Sequence, residues 1–138
     1  MIREVEYLSQ ARAENFRPWA REAIISITGS DHPRARLQKG WTGVLRLVFD
    51  DVEAPFFNAV HFDKLHAEDI LSWLEKVEKK VDKVYVHCHA GKSRSTAVAK
   101  FIAERYDLSE GVRVYEDHNR LVLRVLARRW RRRNTEYS

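Results

Sequence analysis

The stretch Lys83-Val84-Tyr85-Val86-His87-Cys88-His89-Ala90-Gly91-Lys92-Ser93-Arg94-Ser95 decides how this chain is read. Val84, Tyr85 and Val86 are β-formers in a short apolar run, which predicts a buried strand over Lys83–His87. A loop from Cys88 to Arg94 follows, with Gly91 inside it. Ala97, Val98, Phe101 and Ile102 then fall on one face at helical spacing. That predicts a helix opening at Arg94 or Ser95 and ending near Tyr106. Strand, loop and helix in this order make the repeating unit of a parallel sheet.

Working outward, Ala23-Ile24-Ile25-Ser26-Ile27-Thr28 reads as another buried strand, closed by Gly29-Ser30-Asp31. Gly43 to Phe49 reads as a further strand, ending at Asp50-Asp51. A Pro-containing loop lies between Ala54 and Asn58. Ile70, Leu71, Leu74 and Val77, with Trp73 alongside, predict a helix from about His66 to Lys80. A last helix is predicted from near Asn119, burying Leu121, Val122, Val125 and Leu126 and turning its arginines outward. Residues 107–118 give no clear signal, and Gly111 weakens a helix there. The first 20 residues carry no usable motif.

Alternating strands and helices predict a single α/β domain over residues 1–138, with a mainly parallel central sheet flanked by helices. Ligands of such sheets bind beyond the carboxyl ends of the strands, where the Cys88 loop sits.

Composition agrees with one domain. The chain has 138 residues, 44% of them hydrophobic, enough for a real core. No apolar run approaches the roughly 18 residues of a membrane span, and the N-terminal residues lack the apolar core of a signal peptide. A cytoplasmic protein is expected. Its one cysteine, Cys88, excludes an internal disulfide and a multi-cysteine zinc site. The net charge is +5, but six arginines between residues 124 and 133 account for it. We read these as the outer face of the last helix running into a basic C-terminal tail from about residue 128. Nucleic acid is not the favoured partner, because only Trp130 is interleaved among them.

The chemistry of the central loop follows from its residues. Backbone N–H groups of such a turn converge into an anion nest, and the helix N-terminus adds partial positive charge. Gly91 permits torsions that other residues resist. Arg94 can offer a planar fork to two phosphate oxygens. A cysteine on the floor of this nest is favoured as thiolate, the form that attacks. Ser95 can donate a hydrogen bond to the sulfur, and His87 is expected to order the loop backbone.

The string His-Cys-x-x-Gly-x-Ser-Arg-Ser resembles the Cys-x5-Arg signature of the protein tyrosine phosphatase superfamily. It is most similar to the dual-specificity phosphatases, in a compact form of bacterial or phage type. The resemblance runs, more loosely, from about Ala23 to Tyr106. It implies a dual-specificity-phosphatase-like fold and a metal-independent hydrolase of phosphomonoesters working through a phosphocysteine, with no cofactor. Cys88 would be the nucleophile. Phosphate would be held by His89, Ala90, Gly91, Lys92, Ser93 and Arg94, and Ser95 would assist the sulfur. The expected substrates are phosphotyrosine and also phosphoserine or phosphothreonine on a protein.

The family also places a general-acid Asp on an earlier loop, after an apolar residue and one variable residue. Phe49-Asp50-Asp51 fits and assigns the role to Asp51, which stands 37 residues before Cys88. Asp50 is the adjacent alternative. Asp63 is a third, though its place before a helix suits an N-cap.

Lys92 and His89 leave the substrate open. A lysine at this place resembles branches that act on phosphoinositides and inositol phosphates, so a polyanion of that kind or an RNA 5′-phosphate is the alternative substrate. Ser93 and Ser95 look more like the protein-directed group. A non-catalytic phosphate-binding module is a third reading, weakened by the presence of both Cys88 and Arg94. His32, His61, His66 and His118 show no metal-binding spacing.

Overall fold

In a computed structural model, which describes residues 1–54, 56–108 and 118–136, the chain is a single α/β domain. Its strands are β1 (Glu4–Ser9), β2 (Glu22–Thr28), β3 (Gly43–Val48) and β4 (Lys83–Cys88). Its helices are α1 (Gln10–Asn15), α2 (Lys64–Val77), α3 (Arg94–Arg105) and α4 (Arg120–Glu136). The strands form one sheet in the order β1-β4-β2-β3, and every pair is parallel. Among the described residues no helix is long and apolar enough to cross a membrane.

Two strands are buried on both faces, which explains their unbroken apolar runs. Along β2, Ala23, Ile25 and Ile27 point into the larger core and Ile24 into a smaller one. Along β4, Val84, Val86 and Cys88 face the larger core, while Tyr85 faces the smaller. The larger core is closed by Ile70, Leu71 and Leu74 of α2, Val98, Phe101 and Ile102 of α3, and Val122 and Leu126 of α4. The smaller core packs Ala13 of α1 with Leu8, Ile24 and Tyr85.

All four strands run the same way, so their carboxyl ends form one rim. Ser9 stands opposite Cys88, and Thr28 opposite Val48. Every segment that leaves this rim can contribute to a single site.

Two elements were not foreseen. Strand β1 is an edge strand whose Glu4 and Glu6 face Lys83 on β4. These acids interrupt the apolar pattern that marks a strand. Helix α1 has only six residues, too short for periodicity to show.

The arginine-rich end also differs from expectation. Helix α4 continues through residues 128–136 rather than ending in a tail. Arg129 pairs with Glu68 of α2, and Arg133 with Glu75 at 2.6 Å. Half-exposed pairs of this kind are worth about 1 kcal/mol or less. Burial of Val122 and Leu126, and Trp130 against Phe101, contribute more to holding α4 down. Gly111, Pro55 and most of the unassigned stretch before α4 lie outside the described residues.

Candidate active site

Cys88 is the last residue of β4, and Arg94 the first of α3. The five residues between them form a tight loop over the end of the sheet. Cys88 is buried, and two groups reach its sulfur. Ser95 Oγ lies 3.1 Å from Sγ, and the Gly91 N–H donates to Sγ at 3.3 Å. Ser95 is itself wholly buried, so its hydroxyl is fixed beneath the sulfur.

Gly91 has φ of +71°, a left-handed torsion that suits glycine. A Cβ here would lie 2.6 Å from the Ser9 backbone nitrogen and 2.8 Å from the Leu8 carbonyl carbon. The loop therefore rests directly on the end of β1. The Gln10 N–H ties it down further by donating to the His89 carbonyl at 3.1 Å. β1 and α1 thus form the wall that holds the loop closed.

His87 sits beneath the loop, wholly buried. Its Nδ1 is 3.3 Å from the Cys88 carbonyl, which can only accept, so Nδ1 carries the proton. Nε2 then accepts from the Ser26 hydroxyl at 2.6 Å. Burial holds the His87 pKa below its ordinary value, with the charges of Arg46 and Arg94 acting the same way. A neutral histidine joined to Ser26 and to the loop backbone is a positioning group, as expected.

Arg94 is anchored at one end, its Nη1 donating to the Phe49 carbonyl at 3.0 Å. Its Nε is buried with no partner among the described residues. A buried charged donor left unsatisfied is costly unless a ligand completes it. An anion oxygen within its reach would do so.

The start of α3 also carries donors that no side chain caps. Ser93 occupies the N-cap position, yet its side chain makes no cap hydrogen bond. Its hydroxyl instead donates to Asp51 Oδ1 at 2.8 Å. The first N–H groups of α3 are thereby left without a side-chain cap, and such groups suit an anion.

No protein-family model matches this chain, and no curated protein matches it significantly.

Asp50 and Asp51 are adjacent but face different neighbours. Asp50 accepts from the Ser30 N–H at 2.9 Å, the Ser30 hydroxyl at 2.8 Å and the Val60 N–H at 2.8 Å. Burial works to raise its pKa, but these hydrogen bonds and the nearby Arg94 outweigh it and hold the carboxyl below its ordinary value. Asp50 is thus a fixed carboxylate that pins the loop after β3. Asp51 is exposed and reaches the Cys88 loop through Ser93. Asp63 caps α2, accepting from the N–H groups of Leu65 and His66, with the His66 ring closing the box.

Asn119 completes the arrangement, and the sequence suggested only a helix start there. It is 1% exposed. Its Nδ2 donates to Asp51 Oδ1 at 2.9 Å and to the Val52 carbonyl at 3.1 Å. Its Oδ1 accepts from the Val122 N–H, capping α4, and its own N–H donates to the Ser93 carbonyl. One asparagine side chain and backbone thus join the Asp51 loop, the Cys88 loop and α4. An Asn before an apolar helix is a cap signature; its second role depends on a contact 68 residues away.

His89, Ala90 and Lys92 are exposed on the outer side of the loop, with the His32 ring 6.0 Å from that of His89. Among the described residues no cluster of three or more His, Cys, Asp or Glu is placed to hold a metal ion.

Proposed function

We propose that this protein is a cysteine phosphatase of the dual-specificity type, hydrolysing phosphomonoesters through a phosphocysteine without a metal. One observation carries the reading. In one loop the Cys88 sulfur accepts from the Gly91 N–H, Arg94 keeps a buried Nε donor with no partner among the described residues, and the Ser93 hydroxyl holds Asp51.

The chemistry runs in two steps. The Cys88 thiolate attacks phosphorus, and the bond to the leaving oxygen breaks as Asp51 gives that oxygen its proton. Arg94 and the loop N–H groups of residues 89–93 neutralise charge on the equatorial oxygens. Asp51, now a carboxylate, takes a proton from water. The water oxygen attacks the phosphocysteine, the S–P bond breaks, and inorganic phosphate leaves. The Ser95 hydroxyl donates to the departing sulfur and stabilises it as thiolate. The substrate is a phosphotyrosine protein, with phosphoserine and phosphothreonine as further substrates.

The test is hydrolysis of para-nitrophenyl phosphate in excess EDTA by the wild type and Cys88→Ser. EDTA-resistant turnover lost in the variant supports the proposal. Turnover that survives Cys88→Ser, or that EDTA removes, overturns it.

A second reading draws on the exposed basic side chains of the loop. Lys92 and His89, with His32 beside it, could favour a polyanion such as a phosphoinositide, an inositol phosphate or an RNA 5′-phosphate. Turnover of phosphotyrosine peptides with none of these polyanions would exclude it.

A further inference from the structure

A groove of about 540 Å³ lies between the start of α2 and the middle of α4. Leu65, Leu121 and Val125 line it, over the buried ring of Phe62. Leu65, 66% exposed, stands beside this concave apolar surface. Lys64, Arg128 and Arg132 stand around the apolar lining.

The charges of this groove do not cancel. Asp63 is its one acid, and that carboxylate is committed to capping α2. Arg129 is paired with Glu68. Lys64, Arg128 and Arg132 form no ion pair among the described residues. An apolar floor inside uncompensated cations fits an acidic segment with leucine or aromatic anchors. The concavity favours inserted side chains of a peptide over a flat lipid surface.

The groove is also tied to the candidate active site. α4 is capped by Asn119, which touches Asp51. Arg128 and Arg132 lie 9 and 13 residues further along the chain. At about 1.5 Å per helical residue they stand roughly 13–20 Å along α4 from Asn119. An extended peptide covers that distance in about four to six residues.

We infer that this groove docks an acidic, apolar-anchored segment of the phosphoprotein substrate, about four to six residues from the phosphorylated residue. The inference rests on the phosphatase reading, and it narrows the substrate from any phosphomonoester to an acidic protein segment.

The experiment measures direct binding to the full chain, which needs no catalysis. The probe is a fluorescent 12-residue peptide of alternating Glu pairs and Leu or Phe, read by anisotropy at moderate salt. Controls are the same peptide with Lys for Glu, and vesicles rich in phosphatidylserine. The Arg128→Glu/Arg132→Glu variant is compared with wild type. Its folding is checked by circular dichroism and its basal turnover by para-nitrophenyl phosphate.

The inference expects the acidic peptide alone to bind, and to bind the variant at least about tenfold more weakly. Linked to a phosphotyrosine, the same segment should lower KM in the wild type and leave kcat unchanged. Equal binding of acidic and basic peptides, undiminished binding by the folded variant, or binding of vesicles without peptide would overturn it. Lost docking with intact basal turnover removes only this inference. Absent basal turnover with intact docking removes the phosphatase reading, and with it the docked segment's identity as substrate, while the groove stands as a site for an acidic peptide.

Discussion

The Ser93 hydroxyl donates a 2.8 Å hydrogen bond to Asp51 Oδ1, although Ser93 stands where a helix-capping serine would turn back on its own helix. Helix α3 gives up a cap worth about 1 kcal/mol. In return, Asp51 is held beside the Cys88 loop, and the first N–H groups of α3 are left for an anion. Asn119 shares the same carboxylate oxygen, so two donors from two elements fix one acid.

Asp51 and Asp50 should therefore separate cleanly. Asp51→Asn is expected to cut kcat by about 10² to 10⁴ with little effect on stability. Asp50→Asn is expected to destabilise the loop after β3 while leaving the bell-shaped pH dependence of kcat intact. Steady-state kinetics and thermal melts of both variants check this. Loss of turnover in Asp50→Asn with normal turnover in Asp51→Asn would reverse the assignment.

Asn119→Ala should lose both the α4 cap and the tether on Asp51. We expect about 1–2 kcal/mol of destabilisation by denaturant unfolding, together with a fall in kcat. Asn119→Asp keeps the capping oxygen but sets a carboxylate against Asp51. It should recover much of the stability and little of the kcat, which distinguishes positioning from simple structural support.

Gly91→Ala places a methyl 2.6 Å from the Ser9 nitrogen at a positive φ. The loop must move, because the obstacle is backbone. A loss of at least about 1 kcal/mol and most of the turnover is expected. Wild-type turnover in this variant would show that the loop does not rest on β1.

His87 is neutral in the folded state, its pKa pushed below 6.5 by burial. The unfolded chain takes up a proton near 6.5, and the folded chain does so only at lower pH. The unfolded state thus binds more protons in that window, so stability is full above pH 6.5 and falls as pH drops below it. Denaturant midpoints from pH 7.5 to 5.0 should show this decline, and His87→Gln should flatten it.

Much of this architecture could be read from the residues. The runs at Ala23–Thr28 and Lys83–His87 were legible because β2 and β4 are covered on both faces and advertise it as continuous apolar sequence, and Gly43–Phe49 was legible from its β-forming residues although β3 is a partly exposed edge strand. Strand β1 escaped because Glu4 and Glu6, charged residues within it, pair with Lys83 at an edge. The Cys88 loop was legible because its chemistry is local. Its supports were not. Ser9, Gln10, Ser30, Val60 and Asn119 reach the site through backbone contacts or from distant positions, and no spacing rule announces such contacts. The arginines of α4 were legible as a charged face, but Arg129 and Arg133 find Glu68 and Glu75 only once α2 and α4 are packed together.

The covalent intermediate tests the central claim most directly. Wild-type protein is mixed with a rapidly hydrolysed aryl phosphate, quenched in acid within milliseconds, digested and mapped by mass spectrometry. The account predicts one added phosphate, located on Cys88, with greater occupancy in Ser95→Ala, where the sulfur leaves more slowly. Product release without phosphate on Cys88 at any quench time, or phosphate on another side chain, would contradict it.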